Sequence, residues 1–251
     1  MSDETRPHRT AAVIPAAGRG VRLGPGAPKA LRALGGTPML IHAVRAMARS
    51  RAVSLVVVVA PSDGAAEVRL LLNEHALPER TEILVVPGGE TRQESVRAGL
   101  DALPPDITSV LVHDAARPLV PVDTVDSVID AVRDGAPAVV PAMALADTVK
   151  EVEPGKPGDP EPVLGTPERA RLRAVQTPQG FDLATLRRAH DEFAAGTADG
   201  EGATDDAGMV ERLGVTVVVI PGHEEAFKVT RPLDLVLAEA VLARRRATDA
   251  Y

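Results

Sequence analysis

Cysteine and tryptophan are absent from the chain, and the aromatic set is one tyrosine and three phenylalanines. The lack of cysteine excludes disulfides and thiolate chemistry. The scarcity of aromatics leaves no base-stacking platform of the kind that grips single-stranded nucleic acid. It also makes Val, Leu, Ala and Ile the core formers. Positive charge is in deficit, with a formal net charge of −7. Broad electrostatic binding to nucleic acid or to an anionic membrane is therefore disfavoured. The longest apolar run, around Leu55 to Ala60, is far too short to cross a bilayer. The opening MSDETRPHRT is polar and does not read as a signal peptide. A cytoplasmic protein with no nucleic-acid or membrane partner is the expectation. The sequence carries no paired-histidine metal motif and no nucleophile elbow.

What is present is an alternation. Apolar β-branched runs at Ala11–Ile14, Leu55–Ala60, Ile83–Val86, Val110–His113, Ala138–Pro141 and Val215–Ile220 are continuous rather than alternating, as in strands covered on both faces. Helical patterns lie between and after them, near Pro38–Ser50, Asp63–His75, Thr91–Leu103, Val122–Asp134, Leu183–Ala194, Asp205–Leu213 and Pro232–Arg246. Thr91 with Glu94 is placed to form a capping box. This order predicts an α/β fold, a three-layer, doubly wound and mostly parallel sheet. The 251 residues are read as a single domain. One stretch breaks the rhythm: Asp147–Val175 is polar and rich in Pro and Gly, and its flanks TVKEV and RLRAV suit a projecting β-hairpin arm.

In an open α/β sheet, ligands bind beyond the carboxyl ends of the strands. The first strand leads into a Gly-rich loop carrying Arg19, Arg22 and Lys29. Its free N–H groups can cradle phosphate while the cations neutralise it. Lys29 lies between Pro28 and Ala30, so the Walker ending is missing. Gly18, Gly20 and Gly24 are spaced G-x-G-x-x-x-G, which fails the dinucleotide fingerprint. Other strand ends lead into Gly88-Gly89 with Thr91, Arg92 and Ser95, into His113-Asp114-Ala115-Ala116-Arg117, and into Lys228-Val229-Thr230-Arg231. Each has a plainer reading. Gly88-Gly89 suits a turn before a helix cap, Asp114 and Arg117 a local ion pair, and His113 a packed side chain. Arg244–Arg246 read as a solvated helix end favoured by the macrodipole. A cationic pocket with one carboxylate suits phosphoryl or nucleotidyl transfer, with Mg²⁺ held largely by the phosphates.

The motifs VIPAAGRGVRLG..APK (Val13–Lys29), PGGETRQESV (Pro87–Val96), VHDAARP (Val112–Pro118), DTVK (Asp147–Lys150), VQTPQGF (Val175–Phe181), ATDDA (Ala203–Ala207) and FKVTRPLDL (Phe227–Leu235) span nearly the whole chain. Together they closely resemble the cytidylyltransferase family that acts on 2-C-methyl-D-erythritol 4-phosphate in the non-mevalonate isoprenoid pathway. The resemblance implies transfer of a cytidylyl group from CTP to that polyol phosphate. It also implies a homodimer joined through the 147–175 arm. By the same resemblance, Arg22, Lys29 and Lys228 are the catalytic cations. Pro15, Ala16, Ala17, Gly18, Gly88, Gly89, Ser95, Asp114 and Ala115 surround the nucleotide. Asp114, Arg117, Thr148, Arg169, Thr177, Thr204 and Lys228 serve the acceptor, with Thr148 and Arg169 on the arm that crosses to the neighbouring subunit. No protein metal ligand is assigned.

Three other readings stay open at the level of sequence. A cytidylyltransferase for a pentitol phosphate such as ribitol 5-phosphate belongs to the same superfamily. An NAD-dependent oxidoreductase suits the sheet but not the glycine spacing. A non-catalytic nucleotide sensor has no need of Arg22, Lys29 and Lys228.

Overall fold

The structure, a computed structural model, describes residues 9–18, 28–193 and 205–248. In chain order the strands are β1 (Arg9–Pro15), β2 (Ala33–Leu34), β3 (Thr37–Pro38), β4 (Val53–Ala60), β5 (Glu82–Pro87), β6 (Ile107–Val112), β7 (Ala138–Ala144), β8 (Glu151–Val152), β9 (Val163–Gly165), β10 (Arg173–Val175), β11 (Gln179–Asp182) and β12 (Val218–Pro221). The helices are α1 (Met39–Arg49), α2 (Ala65–Asn73), α3 (Arg92–Asp101), α4 (Val122–Arg133), α5 (Leu183–Glu192), α6 (Asp206–Arg212) and α7 (Pro232–Thr248).

Strands β5, β4, β1 and β6 run parallel side by side. Next to β6 comes β11, antiparallel both to β6 and to β7. Strand β12 pairs parallel with β7. The mostly parallel α/β sheet therefore stands as expected, with β11 as an addition the hydropathy pattern did not reveal. The continuous apolar strands sort by parity. Ala12, Ile14, Val56 and Val58 pack with α1, α2 and α4, whereas Ala11, Val13, Leu55 and Val57 pack with α3, α5 and α6. Each strand thus feeds two helical layers. Close approach across the layers uses glycine. A Cβ at Gly99 of α3 would lie 2.4 Å from Val13, and one at Gly180 of β11 2.4 Å from Val128 of α4.

The structure redraws several boundaries. The last predicted strand starts at Val218 rather than Val215, His113 lies just past β6, and Pro38 caps α1 instead of joining it. The Thr91–Glu94 capping box is present, with both of its hydrogen bonds. The arm needs a larger correction. TVKEV does not pair with RLRAV: Glu151–Val152 pairs with Val163–Gly165, and Arg173–Val175 joins the main sheet against Ala142–Ala144. The end of β7 extends beyond β11 and leaves backbone groups open, and β10 satisfies them. The projecting piece is therefore shorter than 147–175.

Candidate active site

The carboxyl ends of β1, β4, β5 and β6 carry the site, and the sheet's own hydrogen bonds extend into the loops beyond them. Ala16 donates to Val59 O at 2.8 Å, Gly88 to Ala60 O at 2.8 Å, and His113 to Val13 O at 2.9 Å. These bonds place three loops side by side around a cleft of three adjoining compartments. The largest, about 610 Å³, is bordered by Ala16, Ala17, Gly18, Leu40, Gly89 and Glu90. A second, about 210 Å³, lies against Gly18, Gly89, Arg92, Ser95 and Asp114. The third, about 220 Å³, brings Pro15, Lys29, Ala115 and Lys228 together around Asp114.

Asp114 is the electrostatic centre. Lys228 Nζ lies 2.8 Å from its Oδ2, Arg117 Nε 3.8 Å from the same oxygen, and Arg92 Nε 3.8 Å from Oδ1. Burial by itself would raise the pKa of this carboxyl. Lys228 first, then Arg92 and Arg117, outweigh that and hold it at about 2. Asp114 is therefore an anion at any working pH.

The two neighbours of Asp114 in its motif support it. Arg117 points its guanidinium at the main chain, donating to Ala226 O at 2.7 Å and to Val175 O at 3.2 Å. It joins the loop after β6 to the end of β10 and to the segment before Lys228. Thr177 Oγ1 accepts from Asp114 N at 3.0 Å and sits 3.0 Å from His113 Nδ1. His113 is fully buried, with Nε2 3.2 Å from Arg117 O. Burial pushes its pKa down to about 4, so the ring is neutral. His113 packs and hydrogen-bonds, as its plainer reading had it.

Of the sequence-assigned groups, the fold brings Pro15, Ala16, Ala17, Gly18, Gly89, Ser95, Asp114, Ala115, Lys29 and Lys228 to the cleft. Gly88 lies beneath it, where a Cβ would come within 2.7 Å of Ser95 Oγ. Ser95 Oγ donates to Thr91 O at 2.9 Å, inside the first turn of α3. Thr148 and Arg169 are exposed on the arm side, and Arg169 donates to Ala146 O. Arg22 and Thr204 lie outside the described residues.

Sequence reasoning left the outer partners unassigned. Arg92 Nη1 forms an ion pair with Asp206 at 2.7 Å, and His190 Nε2 lies 3.1 Å from the other Asp206 oxygen. Burial works against the charge on Arg92, but Asp206 and Asp114 outweigh it and raise its pKa. Both Arg92 and Asp206 fall inside quoted motifs, yet nothing in the spacing announces that residues so far apart meet. Arg244–Arg246 form a helix end that is exposed at Arg244 and Arg246, as expected, but also has partners. Arg244 and Arg245 grip Glu225, Arg245 also donates to Leu119 O at 2.6 Å, and Arg246 donates to Gly35 O at 3.2 Å.

A family model described as 2-C-methyl-D-erythritol 4-phosphate cytidylyltransferase matches residues 10–244. The chain belongs to this family. A protein of that name from Streptomyces coelicolor is 80% identical over 246 residues, covering 98% of this chain and 89% of its own length. The crystal structure of the Thermus thermophilus 2-C-methyl-D-erythritol 4-phosphate cytidylyltransferase matches with a TM-score of 0.70 at 34% identity, over 93% of this chain and 98% of that one. The 4-diphosphocytidyl-2C-methyl-D-erythritol synthase of Anaerococcus prevotii reaches a TM-score of 0.78 at 28% identity, over 94% of this chain and 99% of that one. As a member of the family, the chain is a cytidylyltransferase, an enzyme of the nucleotidyltransferase kind. The oxidoreductase and sensor readings fall with that membership.

Proposed function

We propose that the cleft transfers the cytidylyl group of CTP to 2-C-methyl-D-erythritol 4-phosphate and releases pyrophosphate, a step of isoprenoid precursor synthesis. The observation that carries this reading is the compartment where Lys29 and Lys228, from opposite ends of the chain, border one buried carboxylate. An acceptor phosphate oxygen attacks the α-phosphorus in line. The new O–P bond forms as the bond to the β-phosphate oxygen breaks, and pyrophosphate leaves with that electron pair. A phosphate monoester is already ionised near neutral pH, so no protein base is needed. Lys29, Lys228 and Arg22 neutralise the charge that spreads over the transferring group. The Gly18 and Gly89 backbones border the first two compartments, where the nucleotide lies.

A divalent cation such as Mg²⁺ fits this donor set. An ion held mainly by the triphosphate needs few protein ligands. Asp114 is the carboxylate that would face it. Bound there, the ion would orient and neutralise the triphosphate.

The described residues include no helix long and apolar enough to cross a membrane. Water-soluble phosphorylated substrates suit the cytoplasm. The arm suits a homodimer, since Val163 and Leu164 of β9 expose more than half of their surface and an isolated two-stranded hairpin is marginal alone.

The test is substitution of the two cations. Lys29→Ala and Lys228→Ala should each lower kcat about a hundredfold or more. The melting temperature of Lys29→Ala should stay near that of the parent, whereas Lys228→Ala should melt lower, because Asp114 loses its nearest partner. A fully active Lys29→Ala enzyme would remove that residue from the mechanism.

A further inference from the structure

We propose that Arg92 is a positioning residue of the transfer site. Clasped from behind by Asp206, its guanidinium keeps the Asp114 carboxylate in place when Lys228 moves to a phosphate. The inference rests on the assignment of Lys228 to a phosphate, made above.

Lys228 is 40% exposed at the cleft and holds Asp114 Oδ2 at 2.8 Å. An arriving phosphate competes for that ammonium. Asp114, whose side chain is only 13% exposed, then needs other cations. A buried carboxylate stripped of its partner is costly and relaxes or takes up a proton. Arg117 remains, but its two terminal nitrogens are committed to Ala226 O and Val175 O. Arg92 covers the other oxygen, Oδ1, from the start of α3.

Arg92 is built to stay there. It is the first residue of α3, directly after the Thr91 cap. Its Nη1 is anchored 2.7 Å from Asp206, a side chain with no exposed surface. Asp206 is held by His190, and the neighbouring cap residue Asp205 accepts from Gln179 Nε2 at 2.6 Å. A planar guanidinium can face two carboxylates at once, whereas a lysine ammonium is a single point. Without Arg92, Asp114 has one cation fewer beside it and competes harder for Lys228.

The test is steady-state kinetics on Arg92→Gln, Arg92→Lys and Asp206→Asn, with Lys228→Ala alongside and thermal melts of each. The KM for the polyol phosphate should rise about tenfold in both Arg92 variants. Lysine fails to rescue because it cannot span both carboxylates. Asp206→Asn should shift the same constant in the same direction by a smaller factor, although Asp206 touches neither substrate. The KM for CTP should rise by a clearly smaller factor in the Arg92 and Asp206 variants, since Arg92 and Asp114 also border the compartment given to the nucleotide. If Arg92→Gln does not fold, Arg92→Lys and Asp206→Asn decide the matter. An unchanged acceptor KM in folded variants, or a CTP KM that rises equally, overturns the inference. If Lys228→Ala is inactive while those constants stay unchanged, only this inference fails. An active Lys228→Ala enzyme overturns the assignment beneath it.

Discussion

Among single residues, His113 has the clearest pH signature. Burial, rather than its hydrogen bonds, is what disfavours the charged ring. Thr177 accepts from Asp114 N and can donate to His113 Nδ1, while Nε2–H donates to Arg117 O. The folded pKa is about 4 against an ordinary 6.5. Between those values the unfolded chain binds a proton that the fold refuses. Stability therefore falls as pH drops from about 6.5 to about 4, by about 3 kcal/mol in full, and falls no further below that from this group. Denaturant melts at a series of pH values should show that part of the slope in the parent and not in His113→Gln. Parallel pH profiles would contradict it. At this scale the sequence was partly legible. Thr91 and Glu94 stand three apart, as a capping box requires, and Asp114 sits directly after an apolar run. The partners of Asp114 were harder to read, because Arg92 and Asp206 acquire their roles only when α3 and α6 meet. Arg117 offered a charge to pair with Asp114, and the fold spends most of it on two backbone carbonyls.

Among elements, α7 reaches furthest from its place in the sequence. Glu225 lies in the short turn before Lys228 and is held by Arg244 and Arg245, while Arg245 reaches Leu119 O in the loop after β6. Arg245→Met should cost roughly 2 kcal/mol, since it leaves a buried carboxylate short of its partner. Adding Glu225→Gln should restore part of the loss in a thermal melt. Strictly additive losses would show that the two residues do not act as a pair. A helix-end arginine run looks the same in sequence whether it meets water or a buried glutamate, which is why this contact escaped. Strand β11 escaped for another reason. Of Gln179, Gly180, Phe181 and Asp182 only Phe181 is apolar and large, and Gly180 is there to admit Val128 of α4. Strands β1, β4 and β6 were legible because both of their faces are buried, which writes a nearly unbroken apolar run into the chain. In the arm, apolar flanks suggested a hairpin but could not say which strand RLRAV would join.

At the scale of the whole molecule, the proposed homodimer would have each arm serve the neighbour's cleft. Under that reading, Lys29 acts in its own subunit while Thr148 and Arg169 serve the partner's cleft in a twofold exchange. Lys29→Ala and Arg169→Ala homodimers should both be weak. Random subunit exchange between them should restore about a quarter of parental activity, because half the dimers are mixed and each has one intact site of two. Verified mixed dimers as inactive as their parents would rule out completion by Arg169. The central claim is the reaction itself, and pyrophosphate release from the unmodified enzyme tests it most directly. The rate is measured with CTP or ATP as donor, against 2-C-methyl-D-erythritol 4-phosphate or ribitol 5-phosphate as acceptor. The account predicts rapid release only for CTP with the methylerythritol phosphate. Equal turnover with ATP, or preference for the ribitol phosphate, would contradict it.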